Sequence, residues 1–197
     1  MTDPEGTTQS QGVDLLASGE ARPETALSSH AFRAIYEAEF SYVWHTLRRL
    51  GVRDRDLEDL THDLFVTVYR RIEDYDVDRP VRPWLFGFAF RLASDYRRLA
   101  RHQREVVDSD LEGMDPVPLA DQQMAAEQRR RVVQAALDTL ELDRRAVFVM
   151  HDLDGCAMPE IARALSIPLN TAYSRLRLAR EQFTAAVRRI RAQAGAA

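Results

Sequence analysis

The segment PEIARALSIPLNTAYSRLRLAR, residues 159–180, decides the fold. Pro159 opens a short helical pattern in which Ile161 and Leu165 recur on one side, and Ile167-Pro168 makes a turn. A second helical pattern starts at Leu169 and brings Ala172, Leu176, Ala179 and Phe183 back to a single face. Ala162 and Ala172 are small enough to let the two helices cross closely. This is the helix-turn-helix pattern, whose second helix is free to enter a major groove. At about 100° per residue, Asn170, Tyr173, Ser174 and Arg177 face away from the apolar side, and Thr171, Arg175 and Arg180 lie at its flanks. Outward groups near the helix start are placed to read base edges. Arg177 paired with a guanine would contribute roughly 1–3 kcal/mol of discrimination. Flanking arginines suit phosphates. The bland alternative is a solvated, arginine-rich helix of a bundle.

Upstream of this unit, Val132, Val133, Ala136, Leu137 and Leu140 form one helical face, and Asp143 can cap a helix carrying Val147 and Phe148. Residues 105–127 contain Gly113, Pro116, Pro118 and seven acids with no arginine, and read as an acidic linker. Before it, three helical patterns recur. The first carries Phe32, Ile35, Tyr36, Phe40, Val43, Trp44, Leu47 and Leu50 and ends at Gly51. The second, with Asp54 or Asp56 as its cap, carries Leu57, Leu60, Leu64, Phe65, Val68, Ile72 and Tyr75. The third starts near Pro83 and buries Leu85, Phe88, Ala89, Leu92, Tyr96 and Leu99. Residues 1–29 are polar and acidic and read as a disordered tail. The expected fold is all-α: a helical domain at 30–104, the acidic linker at 105–127, and a helix-turn-helix domain at 128–192.

The composition sets limits on function. The chain has 197 residues, 45% hydrophobic and 29% charged, enough to bury a core in one or two domains. It has no apolar run long enough for a membrane span and no basic-then-apolar start of a secretory leader. The single cysteine, Cys156, cannot form an internal disulfide, so a reducing, cytoplasmic setting is expected. The net charge of −4 hides segregation, and all 27 basic side chains are arginine. Residues 82–104 hold six arginines against Asp95, and residues 166–191 hold six against Glu181. Residues 54–63 hold five acids against Arg55. Basic blocks separated by acidic ones carry more information than the total, and the planar guanidinium fork suits phosphate and guanine.

The third helix has a second face on which Phe86, Phe90, Arg97 and Arg101 share a stripe beside Ser94 and Arg98. Exposed aromatics next to arginines would form a platform for unstacked bases. Packing of Phe86 and Phe90 against a neighbouring helix is the simpler reading of that stripe. The second helix carries Asp56, Asp59 and Asp63 with Glu58 and His62 nearby, a face that repels DNA and suits a basic protein surface. The pair His62-Asp63 also raises a metal phosphohydrolase. The other histidines are scattered, however, and neither an HExxH nor a cysteine pair is present, so no metal, cofactor or catalytic residue is expected. Cys156 has no evident activating partner.

Taken in order, these segments resemble a bacterial sigma factor of the extracytoplasmic-function type, within the sigma-70 family. Residues 56–65, DLEDLTHDLF, are similar to that family's D-x-E-D-L-x-Q-E-x-F. Residues 82–98, from Arg82-Pro83-Trp84-Leu85 to Asp95-Tyr96-Arg97-Arg98, are similar to its W-L-x-x-I-A-x-N-x-x-x-D-x-x-R helix. Residues 136–148 are similar to its A-L-x-x-L-P-x-x-x-R-x-V-F, and the helix-turn-helix completes the set across 31–190. The resemblance implies an initiation factor that holds no active site. It would bind the β′ clamp coiled coil of core RNA polymerase through Asp56, Glu58, Asp59, His62 and Asp63. It would recognise and open the −10 element through Arg82, Phe86, Phe90, Arg91, Arg97, Arg98 and Arg101, and read the −35 element of promoter DNA through Asn170, Thr171, Tyr173, Ser174, Arg175, Arg177 and Arg180. The exposed polymerase-binding faces would also suit an anti-sigma factor. Departures from the family pattern are Arg91 for a common Asn, Phe90 for a common Arg, Ala157 for a Ser cap, Ser166 for a turn Gly and His62 for a Gln. Tyr173 replaces a common basic residue, and the loop Val77–Arg82 has no aromatic. The alternative function is a dimeric helix-turn-helix repressor that acts without polymerase.

Overall fold

A computed structural model describes residues 23–104 and 121–194. Among them every regular element is helical: α1 Pro23–Arg49, α2 Leu57–Arg70, α3 Val81–Arg104, α4 Asp121–Asp138, α5 Leu142–Phe148, α6 Met158–Ala164 and α7 Leu169–Ala194. Short 3-10 turns at Asp54–Asp56 and Ile72–Asp74 flank α2, and a wide π-turn, Val149–Leu153, extends α5.

Two boundaries differ from the sequence expectation. Helix α1 begins at Pro23, so residues 23–29 are helical rather than part of a tail, and Pro at a helix start leaves unmade only a hydrogen bond the first turn lacks anyway. Helix α4 begins at Asp121, inside the expected linker, because Gln122, Gln123, Met124, Ala125 and Ala126 are strong helix formers. Residues 1–22 and 105–120 lie outside the described residues. The second helix also stops at Arg70, with Ile72 in the following 3-10 turn, and the α5 cap is Glu141 rather than Asp143.

Helix α1 ends in a Schellman motif. Gly51, at φ +95°, donates to the Arg48 carbonyl at 3.0 Å while Val52 donates to Leu47 at 3.1 Å. The turn between α6 and α7 repeats this geometry. Ser166 donates to Arg163 at 3.1 Å and Ile167 to Ala162 at 2.9 Å, with Ser166 at φ +54°. A serine therefore occupies a left-handed position that glycine takes without cost.

The α1–α3 unit buries Val43, Leu47, Leu50, Leu57, Leu64, Phe65, Val68, Leu85 and Ala89. Its outer end is aromatic, with Phe40 stacked on Phe65 at 6.0 Å and Tyr36 edge-on to Phe65 at 4.8 Å. The α4–α7 unit buries Leu137, Leu140, Val147, Met150, Ile161, Ala172, Leu176 and Ala179. Phe148 and Phe183 lie 4.6 Å apart between ring centres. The two units pack together, and their buried residues form one continuous core.

Candidate nucleic-acid interface

Helix α7 presents Asn170, Tyr173, Ser174 and Arg177 to solvent and keeps Ala172, Leu176 and Ala179 against α6, while Thr171 and Arg175 are half-buried. Tyr173 is 54% exposed, a large ring held out where a groove would meet it. The Ser174 hydroxyl donates to the Thr171 carbonyl at 2.9 Å. The three arginines are not equivalent. Arg177 pairs only along its own helix, with Glu181 at 2.7 Å. Arg175 reaches back to Asp143 of α5 at 2.6 Å. Arg180 grips Asp152 through two nitrogens at 2.6 and 2.8 Å and lies 3.3 Å from the His151 ring nitrogen. Those hydrogen bonds hold the Asp152 carboxyl below its ordinary pKa. The acids that steer Arg175 and Arg180 come from α5 and the π-turn, a pairing the α7 sequence does not contain.

Helix α2 exposes Glu58, Asp59, His62 and Asp63 as an acidic face. Asp56 stands apart from that face. It is half-buried and accepts the Tyr96 hydroxyl at 2.6 Å, and burial followed by that bond pushes the Tyr96 pKa up.

The expected base platform on α3 requires a correction. Phe86 is fully buried, and Phe90 is half-buried. The stripe that carries them meets the helix-turn-helix unit, because a Cβ built on Gly87 would stand 3.0 Å from the Ala164 carbonyl oxygen of α6. Helical periodicity revealed a second apolar face and could not say what covers it. Arg82 is exposed and pairs with Glu39 at 2.9 Å, its guanidinium 4.9 Å from the Tyr42 ring centre. Arg98 pairs with Asp95 at 3.0 Å, and Arg97 is half-buried. Arg101 lies on α3, with its side chain outside the described residues.

An aromatic column whose rings the periodicity split between the apolar faces of two helices, leaving out Trp84, runs along the other side of α3. Tyr75 stands 4.9 Å from Trp84, Trp84 is edge-on to Phe88 at 5.0 Å, and Arg91 lies over Phe88 at 4.8 Å. All three rings are half-buried. The spacing 84, 88, 91 on one helix was the available clue. Arg91 is thereby an arginine on an aromatic face, in place of the family's common Asn.

Among the described residues no three His, Cys, Asp or Glu side chains come together as metal ligands, and no helix is long and apolar enough to cross a membrane. Burial, followed by nearby carboxylates, pushes the Cys156 thiol up to about 11, which disfavours the nucleophilic thiolate.

Fold and surface together define a helical DNA-binding factor of two units, one bearing a helix-turn-helix and the other an acidic helix beside a basic, aromatic one. Residues 35–103 match the family model for sigma-70 region 2, and residues 130–183 match that for sigma-70 region 4. The chain is 31% identical over 163 residues to the ECF RNA polymerase sigma factor SigL of Mycobacterium tuberculosis, covering 82% of this chain and 89% of that one. It is 26% identical over 171 residues to the RNA polymerase sigma factor NccH of Alcaligenes xylosoxydans, covering 84% and 91%. Its fold is similar to that of the sigma factor RpoE of Bartonella quintana, solved with the anti-sigma factor NepR, at TM-score 0.62 and 18% identity over 80% of this chain and 97% of that one. The chain belongs to the sigma-70 family, as an RNA polymerase sigma factor of the extracytoplasmic-function type. Nothing in the fold or the comparisons favours the dimeric repressor.

Proposed function

We propose that the region 2 domain, residues 30–104, docks on core polymerase through Glu58, Asp59, His62 and Asp63. It handles the −10 element along α3, while the region 4 domain, residues 128–192, reads the −35 element through α7. The acidic segment 105–127 joins them. The observation that carries this reading is the separation of faces. The exposed acids sit on α2, which offers no basic groove, and the exposed Asn170, Tyr173, Ser174 and Arg177 sit on a helix of the opposite charge. Asp56 serves α2 from behind by holding Tyr96. On α7, Arg177 is the base reader, and Arg175 and Arg180, oriented by Asp143 and Asp152, take phosphates. On α3, Arg82, Arg91, Arg97 and Arg98 line the strand path, with Trp84 and Phe88 as stacking partners and Phe86 and Phe90 as packing residues, and Arg101 is the further arginine that the sequence assigns to it.

The factor has no reaction of its own. Strand opening draws on binding energy to hold unstacked bases, offsetting a few kcal/mol of lost stacking per base. The setting is cytoplasmic, where polymerase and promoter are found, and an anti-sigma factor is a natural competitor for the same exposed faces. The test is co-purification with bacterial core polymerase, comparing wild type with the Asp59→Arg/Asp63→Arg double variant. Stoichiometric wild-type binding, lost in a variant whose circular dichroism is unchanged, is expected. Equal binding by both would overturn the assignment of the α2 face.

A further inference from the structure

Arg175 and Arg180 divide the flanks of α7 between them. At about 100° per residue, they lie on opposite sides of the exposed face that carries Asn170, Ser174 and Arg177. A helix lying in a major groove has a phosphate wall on each side. Asp143 ties one arginine and Asp152 the other. The Arg180 side also carries an imidazole, because His151 of the π-turn shares the Asp152 carboxylate. We infer that His151 is a phosphate ligand of the −35 duplex, paired with Arg180 on one wall of the groove, and that it binds there in its charged form, so that reading the −35 element takes up a proton. The inference rests on the assignment of α7 to that element.

The carboxylate fixes the orientation of the ring. Arg180 grips both oxygens of Asp152, through Nε at 2.8 Å and Nη2 at 2.6 Å, and so favours its ionised form. Nδ1 of His151 stands 2.7 Å from Oδ1 of the same group. An ionised carboxylate only accepts, so Nδ1 carries the hydrogen and donates it. The 3.3 Å approach of Arg180 Nη2 to Nδ1 is then a meeting of two donors on one acceptor. With Nδ1 committed, Nε2 is the nitrogen left to meet a ligand. Neutral, it offers a lone pair and repels a phosphate oxygen. Protonated, it donates a charge-assisted bond. The grip on Asp152 runs through Nε and Nη2 of Arg180, which leaves Nη1 for the same phosphate. The side chains of His151 and Arg180 are 32% and 51% exposed against 20% for Asp152, so the two cations face outward with the acid behind them.

The surrounding charges set the sign. Asp152 favours the imidazolium and Arg180 opposes it. Of the elements packed against the turn, α5 brings Asp143, bonded to Arg175, then Arg144, and Arg145, bonded to Asp138. Helix α6 brings Glu160, which accepts from the Ala157 amide, and Arg163. Helix α7 adds Arg177, bonded to Glu181. A phosphate seated between the ring and Arg180 is a second anion beside the imidazole and favours its charged form further. The DNA-bound factor therefore holds more protons than the free one, and affinity rises as pH falls through the range in which imidazoles ordinarily change charge, about pH 5–8. Each phosphate contact adds about 0.9 to the salt slope of binding. His151 should make that contribution at low pH and lose it at high pH.

The experiment forms holoenzyme from core polymerase and the full chain and uses a dye-labelled duplex that the wild type selects from a random-sequence pool. Affinity is measured across salt at about pH 6 and about pH 8 for wild type, His151→Gln and His151→Arg. At the lower pH the Gln variant should bind about tenfold more weakly than wild type, the usual size of a charge-assisted hydrogen bond. Its salt slope should be lower by about 0.9. At the higher pH the two should agree. His151→Arg, charged throughout, should bind tightly at both. Equal binding by wild type and His151→Gln at the lower pH would overturn the phosphate contact. A loss in His151→Gln that is the same at both pH values would overturn the proton uptake. Weak binding by His151→Arg at the lower pH would show that shape rather than charge is at stake, and would overturn the inference too. Arg177→Ala binding as wild type at every pH would refute the assignment of α7 to the −35 element instead, a distinct outcome.

Discussion

Gly51→Ala should destabilise the chain by about 2–5 kcal/mol, from two separable sources. The first is conformational. Gly51 sits at φ +95°, in the left-handed region, where an L side chain costs roughly 1–2 kcal/mol. The second is steric. The new Cβ would lie 2.7 Å from Nη1 of Arg145. A flexible arginine would simply swing aside, but this one is held. Its side chain is 2% exposed, with Nη1 at 3.0 Å from Asp138 and Nη2 at 3.3 Å from the Leu140 carbonyl. Moving it by several tenths of an ångström is an overpacking problem, worth ~1–3 kcal/mol. For a chain of this size each kcal/mol lowers Tm by about 2–4 °C, so the expected drop is about 10 °C.

Thermal unfolding followed by circular dichroism measures the sum, and two further variants divide it. Gly51→Asn keeps the Cβ and relieves much of the backbone cost, because asparagine tolerates the left-handed region. Gly51→Ala combined with Arg145→Met removes the nitrogen that the Cβ strikes. Desolvation already pulls the Arg145 pKa down to about 10 despite Asp138, so losing the charge there removes a penalty as well as a bond. The double variant should be more stable than the two single losses predict, by ~1–3 kcal/mol. Additivity within ~0.5 kcal/mol would refute the collision and leave only the backbone term.

Four further outcomes are expected. Ser166→Gly should raise stability by about 1 kcal/mol, since it relieves the positive φ in the helix-turn-helix turn, read as a higher Tm. Phe148→Ala, which removes a buried ring packed 4.6 Å from Phe183, should cost ~3–5 kcal/mol in urea unfolding. In holoenzyme binding to −35 duplexes, Arg177→Ala should relax preference at one base pair by roughly 1–3 kcal/mol, whereas Arg175→Ala should weaken all sequences alike. Asp152 has a depressed pKa, so its contribution is full above the unfolded carboxylate value and lost as pH falls through the folded one. Asp152→Asn should therefore flatten the acid limb of the stability–pH curve below pH ~4.

How far each feature could be read in advance follows from where its cause lies. Leu85, Ala89, Ile161 and Leu176 are buried as their spacing required, since periodicity is a property of the helix that carries them. Gly51 was legible as a helix end, since its Schellman turn is local. Phe86 was legible only as a choice between packing and a base platform, because what covers a helix face lies outside that helix. Arg145 stood in the sequence only as the arginine of the R-x-V-F segment, and the convergence of α1, α4 and the Leu140 carbonyl makes it the largest fully buried side chain among the described residues. The α7 arginines were legible as charges but not as a set divided by Asp143 and Asp152. Sequence gives the composition of a face, and tertiary packing gives its availability.

The same distinction applies to the polar contacts between the two domains, Asp154 with Tyr42 and Arg49, and Gln134 and Arg145 with the Arg48 and Arg49 carbonyls. Removing one partner of a buried ion pair is typically worth 3–5 kcal/mol because the other partner is left without compensation. Separating the domains would not strand either group. Asp154 and Arg49 would both return to water, as would the Arg48 and Arg49 carbonyls, and each regains hydration in place of its bond. Arg49 is already 36% exposed, so its share of the exchange is small. Burial dominates at Asp154, raising its pKa in spite of Tyr42 and Arg49, so the packed domains hold that carboxylate at a cost. These polar contacts therefore specify the register of the two domains more than they bind them.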